Sequence, residues 1–289
     1  MAIAPPGLVV AAPAVPRAPR YGLLSTVEPI TLEEPHAWAG GTEWEFDLCT
    51  SVESFTSNCP PDHTNSTERD LEFCHADPFL IKSSFSCATT GRTVSESFDI
   101  ARRRLLAWES HELERIFWTG QAANGAVNPS LATGNEYCEI TPVDLTRDPI
   151  SGSRSQLSLV AALAVLEEAL TDMVPGGGII HAPYGLAAFF ASHRLLERDG
   201  DRYYSPTGFP IVFGAGYPGS GPSNVTALAG TTYIFGTGPM AIWRSDLFMN
   251  PSEISEGIDR YRNDVTVFSE RFYAVGFSCG LYSVQTCLV

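Results

Sequence analysis

The stretch 94–119 constrains this chain more than any other: it reads as one unbroken helix, about 39 Å long at 1.5 Å rise per residue. Thr93 followed three positions later by Glu96 is a capping-box pattern, in which each side chain accepts from the other residue's amide. Gly120 marks the stop. Phe98, Ala101, Leu105 and Trp108 recur at helical spacing, and Leu113, Ile116 and Phe117 extend the apolar surface. Arg102, Arg103, Arg104, Glu109, Glu112, Glu114 and Arg115 are assigned to the face in water. Of these, Glu112 and Arg115 have the spacing to pair.

The residues before that rod look short of a core of their own. Pro5, Pro6, Pro13, Pro16 and Pro19 forbid a helix in 1–20 and favour an extended arm. Residues 43–48 alternate polar and apolar as a half-buried strand does, and 79–87 is a second strand candidate. The polar stretch 57–69 between them, with Pro60-Pro61, implies a long two-stranded excursion with a polar tip. Such a hairpin is marginal alone. The first ninety or so residues are therefore expected to find their partners on adjacent copies.

After the rod the pattern changes. Residues 155–173 form a second helix, followed by a strand at 178–182, a short helix at 184–196 and a strand at 209–213. A Gly/Pro/Ser-rich loop spans 214–224, and strands follow at 231–235 and 240–243. The order is that of a mixed α+β domain. From Tyr273 to the end the chain alternates as a strand, with one slip of phase near Cys279, as a β-bulge produces.

Composition excludes several classes. A length of 289 residues suits one large domain or two moderate ones, and 44% hydrophobic residues supply a core. A net charge of −15, with Lys82 as the single lysine, leaves no basic patch for gripping nucleic acid or anionic lipid. It does not exclude enclosing nucleic acid, since an acidic wall holds its contents without binding them. The most apolar helix candidate carries Glu167, Glu168 and Asp172, unlike a membrane span. No positive charge precedes the apolar stretch 7–15, so a cytosolic product is expected. Its seven cysteines are expected to be mostly buried free thiols, with no metal site among them.

Motifs for chemistry are weak. Gly214-Ala215-Gly216-Tyr217-Pro218-Gly219 has the glycine spacing of a dinucleotide loop, but no helix can open at Ser220-Gly221-Pro222, so a glycine-rich surface loop is expected. Gly276-Phe277-Ser278-Cys279-Gly280 has the letters of a nucleophile elbow, yet it lies in an alternating strand with no acid or histidine after it. Ser278 is expected as a small residue on a strand. Cys74 and His75 adjoin, but strand neighbours point to opposite faces. His111 with Glu114, and His193 with Glu197, are each half of a metal site at most. Neither a cofactor nor a catalytic residue is nominated. Lys82 alone invites a sharper idea, a covalent bond to an asparagine of a neighbouring copy, for which a buried carboxylate would have to take the ammonium's proton. The plain alternative is a solvated strand residue.

The order of segments resembles the major capsid protein of tailed double-stranded DNA bacteriophages, the HK97-like fold. The stretch Pro78-Phe79-Leu80-Ile81-Lys82-Ser83-Ser84-Phe85-Ser86-Cys87, followed by 101–118, is similar to the end of that family's extended loop and its spine helix. Glu270-Arg271-Phe272-Tyr273-Ala274-Val275-Gly276-Phe277-Ser278-Cys279 is similar to the closing strand of its peripheral domain. The resemblance implies an N-terminal arm at 1–38, an extended loop at 39–92, a peripheral domain at 93–150 and 250–289, and an axial domain at 151–249. It places the loop 214–224 at the centre of a hexamer or pentamer. It implies a non-enzymatic shell subunit of a virion, assembled in the host cytoplasm, enclosing DNA without sequence-specific binding and without a membrane. Scaffolding, portal and decoration proteins are the further partners it suggests. Two rivals stand beside it. An encapsulin-type nanocompartment shares the fold but holds a cargo enzyme, and an α/β hydrolase-like enzyme would use Ser278.

Overall fold

The computed structural model describes residues 20–32, 38, 40–45, 49, 73–88, 93–122, 128–147, 155, 157–174, 177–250, 258–259, 261 and 264–288. The arm 1–19 and the polar tip 57–69 lie outside these. The chain opens with a helical turn, α1 (Leu23–Thr26), and strands β1 (Ile30–Leu32), β2 (Thr42–Glu45), β3 (Phe73–Ala76) and β4 (Phe79–Ala88). The long helix α2 (Val94–Thr119) follows, then β5 (Val143–Asp144), α3 (Leu159–Met173), β6 (Ile179–Pro183) and the short α4 (Ala187–Ser192). The rest is strand: β7 (Glu197–Asp199), β8 (Arg202–Tyr204), β9 (Pro210–Gly214), β10 (Thr231–Thr237), β11 (Met240–Ser245), β12 (Phe248–Asn250), β13 (Ile258–Asp259), β14 (Asp264–Phe277) and β15 (Leu281–Cys287).

Among the described residues these strands make a six-stranded sheet, a seven-stranded sheet and a two-stranded ribbon. The first sheet is organised on β14, which pairs antiparallel with β4 over Phe79 to Ala88 and with β11, β12 and β13, while β1 adds parallel to β11. The second runs β5-β15-β10-β6-β9-β8-β7. The ribbon pairs β2 with β3. The strand at 79–88 thus takes its partner from the C-terminal part of the chain, and 42–45 pairs with 73–76. Among the described residues the two strands of the expected excursion do not pair with each other. The ten-residue ladder on β14 offers β4 far more hydrogen bonds than a hairpin could.

Two strands cross between the sheets at one place. Thr237 faces Leu281 in the second sheet, and Met240 faces Phe277 in the first. Gly238-Pro239 on one strand oppose Ser278, Cys279 and Gly280 on the other, closed by Ser278 N–H to Pro239 O (2.9 Å) and Gly238 N–H to Gly280 O (3.2 Å). The extra residue is the phase slip seen in the sequence, with Cys279 at φ 72°. It also moves 240–245 into the first sheet and 281–287 into the second.

Helix α2 begins and ends as its sequence dictates. Thr93 N–H donates to Glu96 Oε2 (2.8 Å), Glu96 N–H donates to Thr93 Oγ1 (3.2 Å), and Gly120 closes the helix at φ 72°. Its buried row steps in fours through Ser97, Ala101, Leu105, Glu109 and Leu113. Ala101 and Leu105 lie in it as the sequence pattern has them, but Phe98 and Trp108 stand one residue off, and Trp108 is 64% exposed. Glu109 and Glu114, expected in water, are buried. Around the C-terminal half, Ile116, Phe117 and Trp118 are all buried, since chain packs on both sides there.

One core cluster joins the underside of α2 to both sheets through Leu105, Phe117, Trp118, Phe79, Tyr273 and Phe235. A second lies where Leu159, Leu163, Leu166 and Leu170 of α3 cover Ile180, Ile211, Ile234 and Val284. Part of the N-terminal region shares in this core: Leu23 is fully buried, Trp38 is 4% exposed, and β1 joins a sheet. The expectation that the first ninety residues lack a core of their own is therefore wrong for 20–32, Trp38 and 73–88. Long-range strand pairing, invisible to local patterning, supplies it.

Candidate functional site

Two buried carboxylates on α2 tie distant segments of the chain together. Glu114 reaches two distant segments at once: Leu23 N–H donates to Oε1 (2.9 Å) and Gly216 N–H to Oε2 (3.0 Å). Burial pushes its carboxyl above the usual range, against the pull of those amides. One turn earlier, Arg271 Nη1 (2.8 Å) and the Tyr273 hydroxyl (3.0 Å) both donate to Glu109 Oε2. Burial, with the Glu109 charge beside it, holds the Tyr273 phenol above its ordinary range. Arg271 and Glu109 are 13% and 11% exposed, so the pair joins helix to sheet in a poorly solvated place.

The glycine-rich stretch 214–224 is not the surface loop expected from its composition. It is sewn onto the C-terminal half of α2. Trp118 Nε1 donates to Ser220 O (3.1 Å), Asn224 Nδ2 to Thr119 O (3.0 Å), and Ser223 N–H to Ala132 O (2.7 Å). Glycine is needed at 216 because a Cβ there would sit 2.0 Å from His111 O and 2.7 Å from Arg115 N. Backbone touches backbone there, which a side chain at 216 would prevent. Beneath it His181 is fully buried, with Nδ1 3.1 Å from the Tyr217 hydroxyl and Nε2 3.0 Å from Thr237 Oγ1. Burial pushes its pKa down to about 3, and burial also raises the Tyr217 phenol.

The ribbon is fastened to the same body. Cys49 pairs with Cys279 and Cys74 with Cys138, with Cα separations of 4.9 and 5.2 Å. The expectation of mostly free thiols fails for these four. Residues far apart in sequence met in space, and spacing alone carried no sign of it. Among the described residues Cys87 and Cys287 are free, and Cys59 lies outside them.

No protein-family model matches the sequence, and no curated protein matches it either. Solved structures do match. The capsid of a native GTA particle superposes with a TM-score of 0.57 at 10% identity, covering 99% of this chain and 96% of that one. The capsid of an empty GTA particle gives 0.51 at 11% identity, covering 97% and 100%. The SrpI encapsulin of Synechococcus elongatus PCC 7942 gives 0.54 at 10% identity, covering 97% and 94%. This is the HK97-like capsid fold.

Within the capsid fold the residues singled out from the sequence do not converge. Ser278 lies in the sheet-to-sheet crossover, and its hydroxyl accepts from Trp44 Nε1 (3.2 Å). Cys74 is in a disulfide, and His75 faces Asp77 at 3.2 Å. Glu114 binds amides rather than His111, and His193 Nδ1 lies 3.0 Å from Phe189 O rather than near Glu197. Among the described residues no cluster of three metal-ligating side chains occurs. Lys82 is exposed on β4, directly across from Glu270, with its ammonium 5.8 Å from the Phe268 ring. The sequence reading missed Glu109, Glu114 and the four paired cysteines. A faint signal existed for the glutamates, since both fall near the row that buries Leu105 and Leu113.

Proposed function

We propose that this chain is the major capsid protein of a tailed double-stranded DNA phage, forming hexamers and pentamers of an icosahedral head. The observation that carries the reading is the likeness to the native GTA capsid over nearly the full length of both chains. Apolar side chains left in water support it: Trp108 (64% exposed) and Leu106 (39%) stand on the outer face of α2, with Phe73 (52%) and Ile30 (49%) elsewhere. Surfaces of that kind are covered when copies pack together. A net charge of −15 suits a container that holds DNA without adhering to it. The division into arm (1–38), extended loop (39–92), peripheral domain (93–150 with 250–289) and axial domain (151–249) belongs to this reading. Residues 240–245 and 281–287 change sides, following the sheets they join.

Sedimentation and negative-stain microscopy of the purified chain test the reading. Uniform closed shells support it, and a monodisperse monomer or dimer ends it. The superposition on the SrpI encapsulin favours a nanocompartment shell as the second reading. Particles recovered from the native source with DNA inside favour the phage, and particles filled with one protein favour the compartment. Lys82, exposed and opposite Glu270, is the proposed donor of any intersubunit cross-link. Denaturing electrophoresis under reductant would then show ladders that Lys82→Arg abolishes.

A further inference from the structure

We infer that the β2–β3 ribbon is locked onto the subunit by oxidation, and that the Cys49–Cys279 bridge is the reversible member of the lock. Each leg of the ribbon has its own tether. Cys49 follows the β2 leg and joins the crossover residue Cys279, and Cys74 lies within β3 and joins Cys138. Strands of four residues that, among the described residues, pair with each other alone are marginal without such support. The noncovalent seat is an indole. Trp44 packs on Gly276 so closely that a Cβ there would lie 2.5 Å from its ring, meets the Trp243 ring at a tilt with 5.2 Å between centroids, and donates to Ser278. That seat positions the leg whether or not the bridge exists, so the thiols meet without a search.

The two bridges differ in reach. Both residues of Cys49–Cys279 are partly exposed, whereas in Cys74–Cys138 only Cys138 is, Cys74 being fully buried. Exchange needs a thiolate to approach a disulfide sulfur, so a small reductant reaches Cys49–Cys279 first. Closure runs in the opposite sense with a low-molecular-weight disulfide, such as oxidised glutathione, as oxidant. One cysteine thiolate attacks it and expels one thiolate, forming a mixed disulfide. The second cysteine displaces the other thiolate. Two electrons pass to the oxidant, and the two cysteine protons end on the two released thiols. In a reducing interior the ribbon keeps only its noncovalent seat, through Trp44 and the buried side chains of β3, and opens more readily; once outside it is held covalently as well. The timing rests on the capsid reading, and the chemistry does not.

The test uses the full-length protein, purified under reductant, and compares it before and after treatment with oxidised glutathione. Non-reducing peptide mapping after alkylation is expected to show Cys49 linked to Cys279 and Cys74 to Cys138, with Cys87 and Cys287 alkylated. Hydrogen exchange at the β2 and β3 amides should slow by about tenfold or more on oxidation. Graded reductant should open Cys49–Cys279 first and restore fast exchange in β2 while Cys74–Cys138 persists. Because one chain is compared in two states, no variant has to fold. Cys49→Ser with Cys279→Ser should abolish the β2 response, and Cys87→Ser should keep it. Other pairings, unchanged exchange, or simultaneous opening of both bridges would overturn the inference. Sedimentation in both states separates the claims: correct bridges without shells remove the capsid reading alone, and shells without the bridges remove the lock alone.

Discussion

Replacing Arg271 with leucine tests the Glu109–Arg271–Tyr273 knot directly. The guanidinium donates to a carboxylate across 2.8 Å, and both side chains are nearly dry. Removing one partner of a buried ion pair strands the other charge, which costs about 3–5 kcal/mol. Here the Tyr273 hydroxyl still donates to Glu109, so the lower half of that range applies. For a chain of this size the loss corresponds to a fall in Tm of about 10 °C. Replacing Glu109 with glutamine as well removes the stranded charge, so the double variant should recover about 1–3 kcal/mol relative to the sum of the single changes. Arg271→Lys should lose less than Arg271→Leu, because it retains the charge and Arg271 Nε has no partner among the described residues to forfeit. Urea unfolding of the purified chain, followed by circular dichroism, gives all four values. A loss under about 1 kcal/mol for Arg271→Leu, or strict additivity in the cycle, refutes the reasoning.

Four further outcomes follow. Glu114 has a native pKa raised by burial, so its contribution is full below the ordinary carboxylate value and is lost as pH rises through the raised one; Glu114→Gln should gain on wild type in thermal melts as pH rises above the ordinary carboxylate value, and a difference constant with pH would refute this. His181 is the opposite case: its pKa is pushed down to about 3, so stability is lost as pH falls from the unfolded value near 6.5 towards 3, with a slope of up to about 1.4 kcal/mol per pH unit. His181→Gln should flatten that acid limb in melts taken across the same range. Gly216→Ala should destabilise by about 1–3 kcal/mol, because helix backbone cannot yield, whereas Gly185→Ala, with open space around it, should be near neutral in the same unfolding assay. Trp108→Ala should leave subunit stability within about 0.5 kcal/mol and yet impair shell formation in sedimentation, if that exposed indole is a contact between copies.

What the sequence disclosed was local. The capping box, the glycine stop and the phase slip at Cys279 are decided by residues within a few positions, and each stands where the pattern put it. The short helix at 184–196 shrank to α4 with a 3-10 turn before it, since helix ends are decided by small energies. What failed was long-range. Strand 79–88 chose a partner nearly two hundred positions away, and Cys49 one 230 away. Glu109 and Glu114 looked like solvent residues because side-chain type predicts burial poorly once a partner is supplied from elsewhere. The loop 214–224 looked exposed for the reason that made it useful, as small residues allow one backbone to lie on another.

The paired crossing at Gly238-Pro239 and Ser278–Gly280 has a mechanical consequence. Two adjacent strands turn the same corner together, hydrogen-bonded on either side of it. A single-strand connection would be a hinge, free to fold about one peptide. A doubled one resists bending in the way a welded elbow does, so strain applied to one sheet is delivered to the other rather than absorbed between them.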